Sequence, residues 1–398
     1  MRAVIGVPPP PAIVDPPPLD RASLDALLPG SRYFNVAGCG PTMPVVRGAM
    51  ERYGRWLDSV AMFSHVGYAE YEAELARTRE DLAAVLGDAD GGGRVTLLQS
   101  ATAALNVVVS GLRFAHPTRI VTTDHEHASA LLPVFARRER GDEVLVAPYT
   151  GDDAAFLDRL DRELDRAGAL LLSHVSHKSG AVLPVRDACA LARRRGAFSI
   201  VDGAQAVGQI PVDVTAIGCD AYCMLGHKWL HGPLGTGALW LRDPVDVRLV
   251  PPFVGWRSRA ASDVAGNVTL KSTGERFETG TVDVSSFFGV RQTLAVHRAL
   301  RTRIAERVQA LRATVLGALE VLPLRLESRP EDPTGIVRVR PRDADVPTVV
   351  DRAWNEFGVV IKAIVGPDEP DSIRISFWYL HDDAAIDDLA RALRSVLA

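Results

Sequence analysis

FSIVDGAQAVGQIPVDVTAIGCDAYCMLGHKWLHGPLGTGALWL, residues 198–241, holds three short apolar runs: FSIVDG (198–203), AYCMLG (221–226) and GTGALWL (235–241). Each is apolar nearly throughout rather than alternating, as expected of strands covered by helices on both faces. Two ionisable residues stand at the ends of these runs. Asp202 closes the first, and Lys228 follows the second by a Gly-His step, twenty-six residues later. The same rhythm extends upstream through RVTLLQS (94–100), RIVTTD (119–124), EVLVAPY (143–149) and ALLLSHVS (169–176). Helical stretches lie between them at Ala130–Arg140, Asp153–Arg166 and Val185–Arg195. Seven such runs alternating with helices predict a three-layer α/β/α domain on a mostly parallel seven-stranded sheet.

Beyond Arg242 the rhythm changes. A loop-rich stretch over Pro251–Gly280 leads into long helices from about Ser285 to Val321. A smaller α+β unit then follows: LRLES, GIVRVR, a helix around Val349–Phe357, VVIKAIV, SIRISFWY and a closing helix Asp382–Leu397. The expected organisation is a proline-rich arm over 1–20 and a segment over 21–50 that joins the small unit to the site. A large domain over 51–285 and a small domain over 286–398 complete it. SRYFNVAGCGPT, near the start, is expected to be extended and to return to the site.

The chain has 398 residues, 47% of them hydrophobic, and a formal net charge of −4, so neither nucleic acid nor an anionic membrane is an electrostatically favoured partner. No apolar run approaches the roughly 20 residues of a membrane helix. Four cysteines are too few for a disulfide framework, which points to a reducing cytoplasm. Cys219 and Cys223 read as core thiols, and no metal site is expected. The arm MRAVIGVPPPPAIVDPPPLD lacks a signal peptide's apolar stretch and favours an extended polyproline conformation, solvated or lying on a neighbouring surface. Gly232, Gly235 and Gly237 lack dinucleotide-fingerprint spacing and precede a strand rather than a helix. His125-Glu126-His127 is not a metalloprotease motif.

Four strand-end signals carry chemistry together. Asp202 ends a buried strand and needs a cationic partner, which a protonated pyridine nitrogen supplies; Gln205 lies within reach of a ring hydroxyl. An Asp there equally suits a helix N-cap. Lys228 leaves an apolar strand end, where burial favours the neutral amine that condenses with an aldehyde, although an isolated lysine is ordinarily solvated. LLQSATAALN passes from strand to helix, so its first amides, with Thr102, suit a phosphate as well as an ordinary cap. TTDHEHASALLPV sets His127 directly after another strand, where an imidazole can stack on a flat ring or serve a structural role.

The order and strand-end placement of these four resemble the fold-type I pyridoxal-phosphate enzymes. Within them the chain is similar to the class V aminotransferase and cysteine desulfurase superfamily, from about Tyr33 to the C-terminus. The carrying motifs are D-x-A-Q at 202–205 and GHKWLHGPLGTG at 226–237. The resemblance implies Lys228 as the Schiff-base lysine, with His127 stacked on one ring face and Ala204 on the other. It implies Asp202 on the ring nitrogen, Gln205 on the phenolic oxygen, and Ala101, Thr102 and His227 on the phosphate. Gly280 and Thr281 match the segment that reaches the neighbouring subunit's phosphate, which implies a homodimer with shared sites. Arg374 and Asn35 match the residues that hold the substrate carboxylate, a task suited to a guanidinium fork. Two positions depart from the pattern. Leu225 stands where a Ser or Thr is usual. His177 stands where an Asn commonly meets the ring oxygen; it can replace that Asn, meet substrate or be structural, while Lys178 is expected in solvent.

Persulfide-forming desulfurases of this superfamily carry a nucleophilic Cys upstream of the carboxylate arginine. Between Thr281 and Arg374 this chain has none, and Cys39 lies on a different segment. What remains resembles isopenicillin-N-epimerase-like proteins, C–S lyases of ergothioneine biosynthesis and relatives in lincosamide-type antibiotic pathways. The leading expectation is a lyase on an S-substituted cysteine, with Lys228 removing the α-proton and His127 protonating the departing sulfur. Decarboxylation-coupled oxidative deamination, Cα epimerisation and transamination share the cofactor, and a catalytically degenerate scaffold is the alternative of a different class. Phe63, His65, Tyr68, Trp256, Arg257, Trp378 and Tyr379 are candidates to line a bulky substrate entrance, with packing or plain exposure as the competing role.

Overall fold

Every residue of the strand that ends at Asp202 and of the next strand, 221–225, is buried, so this sheet must be covered on both faces. The computed structural model describes residues 8–15, 32–300, 302–367 and 369–398. In chain order the first elements are helices α1 (Pro44–Val60) and α2 (His65–Val85), strand β1 (Val95–Leu98), helix α3 (Ala101–Gly111), strand β2 (Arg119–Thr123), helix α4 (Ala128–Ala136) and strand β3 (Glu143–Ala147). Helix α5 (Asp153–Glu163), strand β4 (Ala167–Ser173), helix α6 (Val185–Arg194), strand β5 (Phe198–Asp202), the short helix α7 (Val214–Ile217) and strands β6 (Ala221–Leu225) and β7 (Gly237–Leu241) follow.

The seven strands form one sheet in the order β1-β7-β6-β5-β4-β2-β3. Strands β2 to β6 pair in parallel, and β7 is antiparallel to both its neighbours, β6 and β1. The C-terminal ends of β1, β2, β4, β5 and β6 therefore open on one edge, where ligands of open α/β sheets bind. The seven predicted strands are all present. The fourth runs two residues earlier and ends at Ser173 rather than 176, because Val175 turns back to bridge Val182 in an antiparallel loop.

The stretch read as loop contains a hairpin, β8 (Arg259–Ser262) with β9 (Val268–Leu270), and the long helical region is two helices, α8 (Val284–Leu300) and α9 (Thr302–Glu320). The smaller sheet follows with β10 (Leu324–Leu326), β11 (Ile336–Pro341), helix α10 (Val346–Phe357), β12 (Lys362–Ile364), β13 (Ser372–Ser376) and the closing helix α11 (Asp383–Leu397). It is antiparallel throughout, in the order β10-β11-β13-β12. Its own core contains Val337, Ile373, Ile375, Phe377 and Leu389, and Phe34 from the N-terminal segment. Tyr33 and Asn35 bridge to Val360 and Ser376, which attaches this segment to the small sheet before the turn at residues 36–38.

Residues 8–15 of the proline arm lie on the chain itself. Trp56 donates to Pro8 O (2.9 Å), and Gln292 exchanges two hydrogen bonds with the Val14 main chain. The rest of the arm falls outside the described residues. Among the described residues no helix is long and apolar enough to cross a membrane.

Candidate active site

Local sequence sets each site residue at a strand end. Ser100 caps α3 by accepting from Ala103 N, so the amides of Ala101 and Thr102 have no intrahelical acceptor and remain available to an anion. His127 caps α4: its Nδ1 accepts from Ser129 N (3.1 Å) and meets Ser129 Oγ (2.9 Å). A nitrogen that accepts is unprotonated, so in the neutral ring the proton sits on Nε2. Thr102 Oγ1 donates in turn to Ser129 Oγ (3.0 Å), joining the starts of the two helices.

The Lys228 loop is held by the N-terminal segment. Gly40 N donates to His227 O (2.7 Å), and a Cβ at residue 40 would lie 2.1 Å from Lys228 O, an approach only glycine permits. Arg374 leaves β13, donating from Nη2 to Asn35 Oδ1 (2.9 Å) and from Nη1 to His177 O (3.0 Å). One guanidinium thus ties the small sheet, the N-terminal segment and the loop after β4.

These elements close a cavity of about 220 Å³. Lys228, His127, Asp202, Ala204, Gln205, Ala101, Thr102, His227 and His177 all line it. Asn35 and Arg374 stand behind His177, whereas Gly280 and Thr281 do not line this chain's cavity and are half-buried and exposed respectively. Gln205 is already engaged: Nε2 donates to Ala37 O (3.0 Å) and Oε1 accepts from Trp229 Nε1 (2.8 Å), which fixes the amide and leaves one N–H for any further partner. Leu225 is buried in the wall, with no hydroxyl to offer.

The electrostatics suit an aldehyde cofactor. Burial pushes the Lys228 amine down to about 8, against the opposing pull of Asp202. Burial raises the Asp202 carboxyl, opposed by Ala204 N–H (2.9 Å) and Lys228; among the described residues it forms no ion pair. His127, His177 and His227 are all shifted toward the neutral form, chiefly by burial, with Lys228 adding to each. Burial lowers Arg374 to about 10. His227 Nδ1, His177 Nδ1 and Arg374 Nε are buried without partners, a costly state unless a polar ligand meets them. A buried unpaired carboxylate, a neutral-leaning lysine, orphaned donors and free helix-start amides together fit an anionic heteroaromatic aldehyde.

A family model for class-V aminotransferases matches residues 32–386. The chain belongs to that family, and its cofactor is pyridoxal phosphate. A cysteine desulfurase of Klebsiella pneumoniae is 30% identical over 312 residues, covering 77% of this chain and 76% of that protein. A probable cysteine desulfurase of Methanothermobacter thermautotrophicus is 30% identical over 262 residues, spanning 65% of this chain and less than two thirds, 64%, of its relative. The structure of the cystine C–S lyase C-DES with its reaction product cysteine persulfide superposes with a TM-score of 0.84 at 26% identity, over 92% of this chain and 98% of that one.

Several expectations need correction. Lys178 is half-buried rather than fully in solvent: it pairs with Glu369 (2.9 Å) and donates to Asp124 O. None of the seven entrance candidates lines the cavity. Arg257 is buried in ion pairs with Glu72 and Glu278, Trp378 and Tyr379 pack in a core, and Phe63 and Trp256 are exposed. Sequence reading missed Ser129, Ser173 and Glu126. Glu126 is buried against the pocket wall, accepting from Thr123 Oγ1 (2.6 Å), Ser173 N (2.7 Å) and Ser173 Oγ (2.7 Å), and burial raises it to about 7. The signal was available, since Glu126 follows a buried strand and Ser173 ends one.

Proposed function

We propose that this enzyme is a C–S β-lyase that cleaves an S-substituted cysteine. The observation that carries the reading is one cavity holding a neutral-leaning lysine and an imidazole with its proton on the free nitrogen, with Arg374 bonded to the main chain of His177 in its wall. The Thr281–Arg374 stretch has no thiol to take sulfur onto the protein. C-DES, described as a cystine C–S lyase, supports the same direction.

Asp202 would pair with the ring nitrogen of pyridoxal phosphate, and Ala101, Thr102 and His227 would hold its phosphate. When bound, the group supplies an electron sink for the carbanion at Cα. Arg374, through its unpartnered Nε and remaining Nη hydrogens, binds the α-carboxylate beside Asn35, whose Oδ1 is held by the guanidinium. Lys228 takes the α-proton at Nζ, a role its lowered basicity suits near neutral pH. His127 gives its Nε2 proton to the departing sulfur, so the thiol leaves neutral. The balance is cysteine S-conjugate plus water to thiol, pyruvate and ammonium. The same reading makes the chain a cytoplasmic homodimer in sulfur or antibiotic metabolism. Gly280 and Thr281 then serve the partner's site, and the exposed Phe253 and Val254, beside Ser100 and Thr102, are covered by the second copy.

The test is incubation of the loaded enzyme with a panel of cysteine S-conjugates, with mass detection of products. Equal release of thiol and pyruvate is expected. A substrate that keeps its C–S bond while losing carbon dioxide or inverting Cα overturns the reading.

A further inference from the structure

His177 joins the two halves of the site through different atoms. Its main-chain carbonyl accepts from Arg374 Nη1 (3.0 Å), the arginine assigned to the carboxylate. Its ring and that of His127 form a T-shaped contact, with centroids 4.9 Å apart and planes at 82°. Its Nδ1 is buried with no partner among the described residues, so no hydrogen bond from the protein to that nitrogen holds the ring. The contact with His127 remains as the side chain's ordered neighbour. Among the described residues the His127 ring is hydrogen-bonded at Nδ1 alone, by Ser129, and its χ2 torsion is intrinsically broad, so that one bond narrows it and a second contact narrows it further. The perpendicular His177 ring is that second contact.

We propose that His177 is a positioning residue: its ring holds His127 at the orientation that turns Nε2 to the substrate, and its main chain couples that orientation to the carboxylate clamp. The inference rests on the lyase reading, in which His127 delivers the proton to sulfur. It explains why a bulky ring stands here. An asparagine could meet a ring oxygen but could not pack a ring against His127. The charged groups that face His127 are Lys228 and Arg374, and those facing His177 add Lys178; all act in the same direction, toward neutral rings.

The experiment compares His177→Phe, His177→Asn and His177→Ala, in the parent enzyme and in a His127→Gln background. Removing the ring lowers kcat by about 10- to 100-fold, at or below the roughly 100- to 10,000-fold that a general acid itself contributes, with KM nearly unchanged. His177→Phe keeps the ring and most of kcat. In the His127→Gln background the His177 changes cost nothing further, the non-additivity of residues acting through one group. Losses that multiply in the double variants, or a raised KM at constant kcat, overturn the proposal. A readout independent of turnover is ¹⁵N-histidine NMR of the cofactor-free protein. There His177→Asn and His177→Ala move the His127 ring signals and raise its titration midpoint, while His177→Phe leaves them in place. Unmoved signals refute the positioning role. If the parent enzyme cleaves no conjugate, the lyase reading falls and the NMR result still decides the role of His177.

Discussion

The Lys228 amine is the group on which cofactor attachment depends, and its environment makes a quantitative prediction. Only the neutral amine attacks an aldehyde, so attachment to the cofactor-free protein follows the neutral fraction. With the amine at about 8, roughly 10% is neutral at pH 7; a solvated lysine near 10.4 offers only about 0.04%, some 200-fold less. The attachment rate is therefore expected to climb about tenfold per pH unit below 8 and then flatten. Because Asp202 is what raises the amine against burial, Asp202→Asn should move the plateau to lower pH. The assay mixes cofactor-free protein with pyridoxal phosphate across pH and traps the adduct with borohydride. Labelled Lys228 is then quantified by peptide mass, with N-acetyl-lysine run in parallel to divide out titration of the cofactor itself. A rate that rises unbroken through pH 10, or a plateau that Asp202→Asn shifts upward, would refute this account of the amine.

Three further outcomes follow from the site. Arg374→Ala removes charge-assisted hydrogen bonds worth about 1.5–3 kcal/mol each, so kcat/KM for a cysteine conjugate falls roughly 10- to 100-fold or more, and a substrate amide lacking the carboxylate charge discriminates far less between parent and variant. Cys39→Ser leaves C–S cleavage intact, because burial raises this thiol and its one contact, 3.6 Å to Gly40 O, is weak; alkylation followed by mass analysis finds no persulfide on residue 39 during turnover. Gly237→Ala sets a Cβ 2.6 Å from the Ser100 carbonyl carbon and pushes on the residue that caps α3, so cofactor affinity measured by dialysis and absorbance drops more than that of Gly317→Ala, where nothing lies within 4 Å.

The large sheet was legible because its strands are apolar at almost every position and lie between helices, so length and composition marked all seven. Asp202, Lys228, His127 and the Ser100–Thr102 turn were legible for a related reason: polar residues at the ends of apolar strands stand out from them, and parallel topology brings those ends to one edge. Helices α1 and α2 were not marked in the same way. In α2 the buried face carries Glu74, Thr78 and Arg79 beside Tyr71 and Leu75, so no clean apolar stripe exists to read. Those charges are matched across space by Arg291 and Glu278, which sequence spacing does not reveal. The aromatic entrance candidates failed for the opposite reason. Trp378 and Tyr379 continue the buried strand of the small sheet, and nothing in their local sequence separates a wall of a core from a wall of a cleft.

Glu126 offers the sharpest check that the cavity floor is built as described. Its carboxyl accepts three hydrogen bonds from the ends of β2 and β4 and has Asp202 as a like-charged neighbour, with no ion pair to a cation among the described residues. With the folded-state value at about 7 against an unfolded 4.5, the folded protein binds a proton between those limits that the unfolded chain does not. The associated stability is fully present below pH 4.5 and is lost as pH rises through 7, about 3 kcal/mol in all. Glu126→Gln keeps two accepting contacts and supplies a donor to Ser173 Oγ, so it should fold and should remove that pH slope. Urea unfolding of the cofactor-free protein between pH 4.5 and 7.5 measures both. A parent slope of opposite sign, or one that Glu126→Gln leaves undiminished, would mean the carboxyl is charged in the floor of the site. The second acid beneath Asp202 would then have to be reassigned.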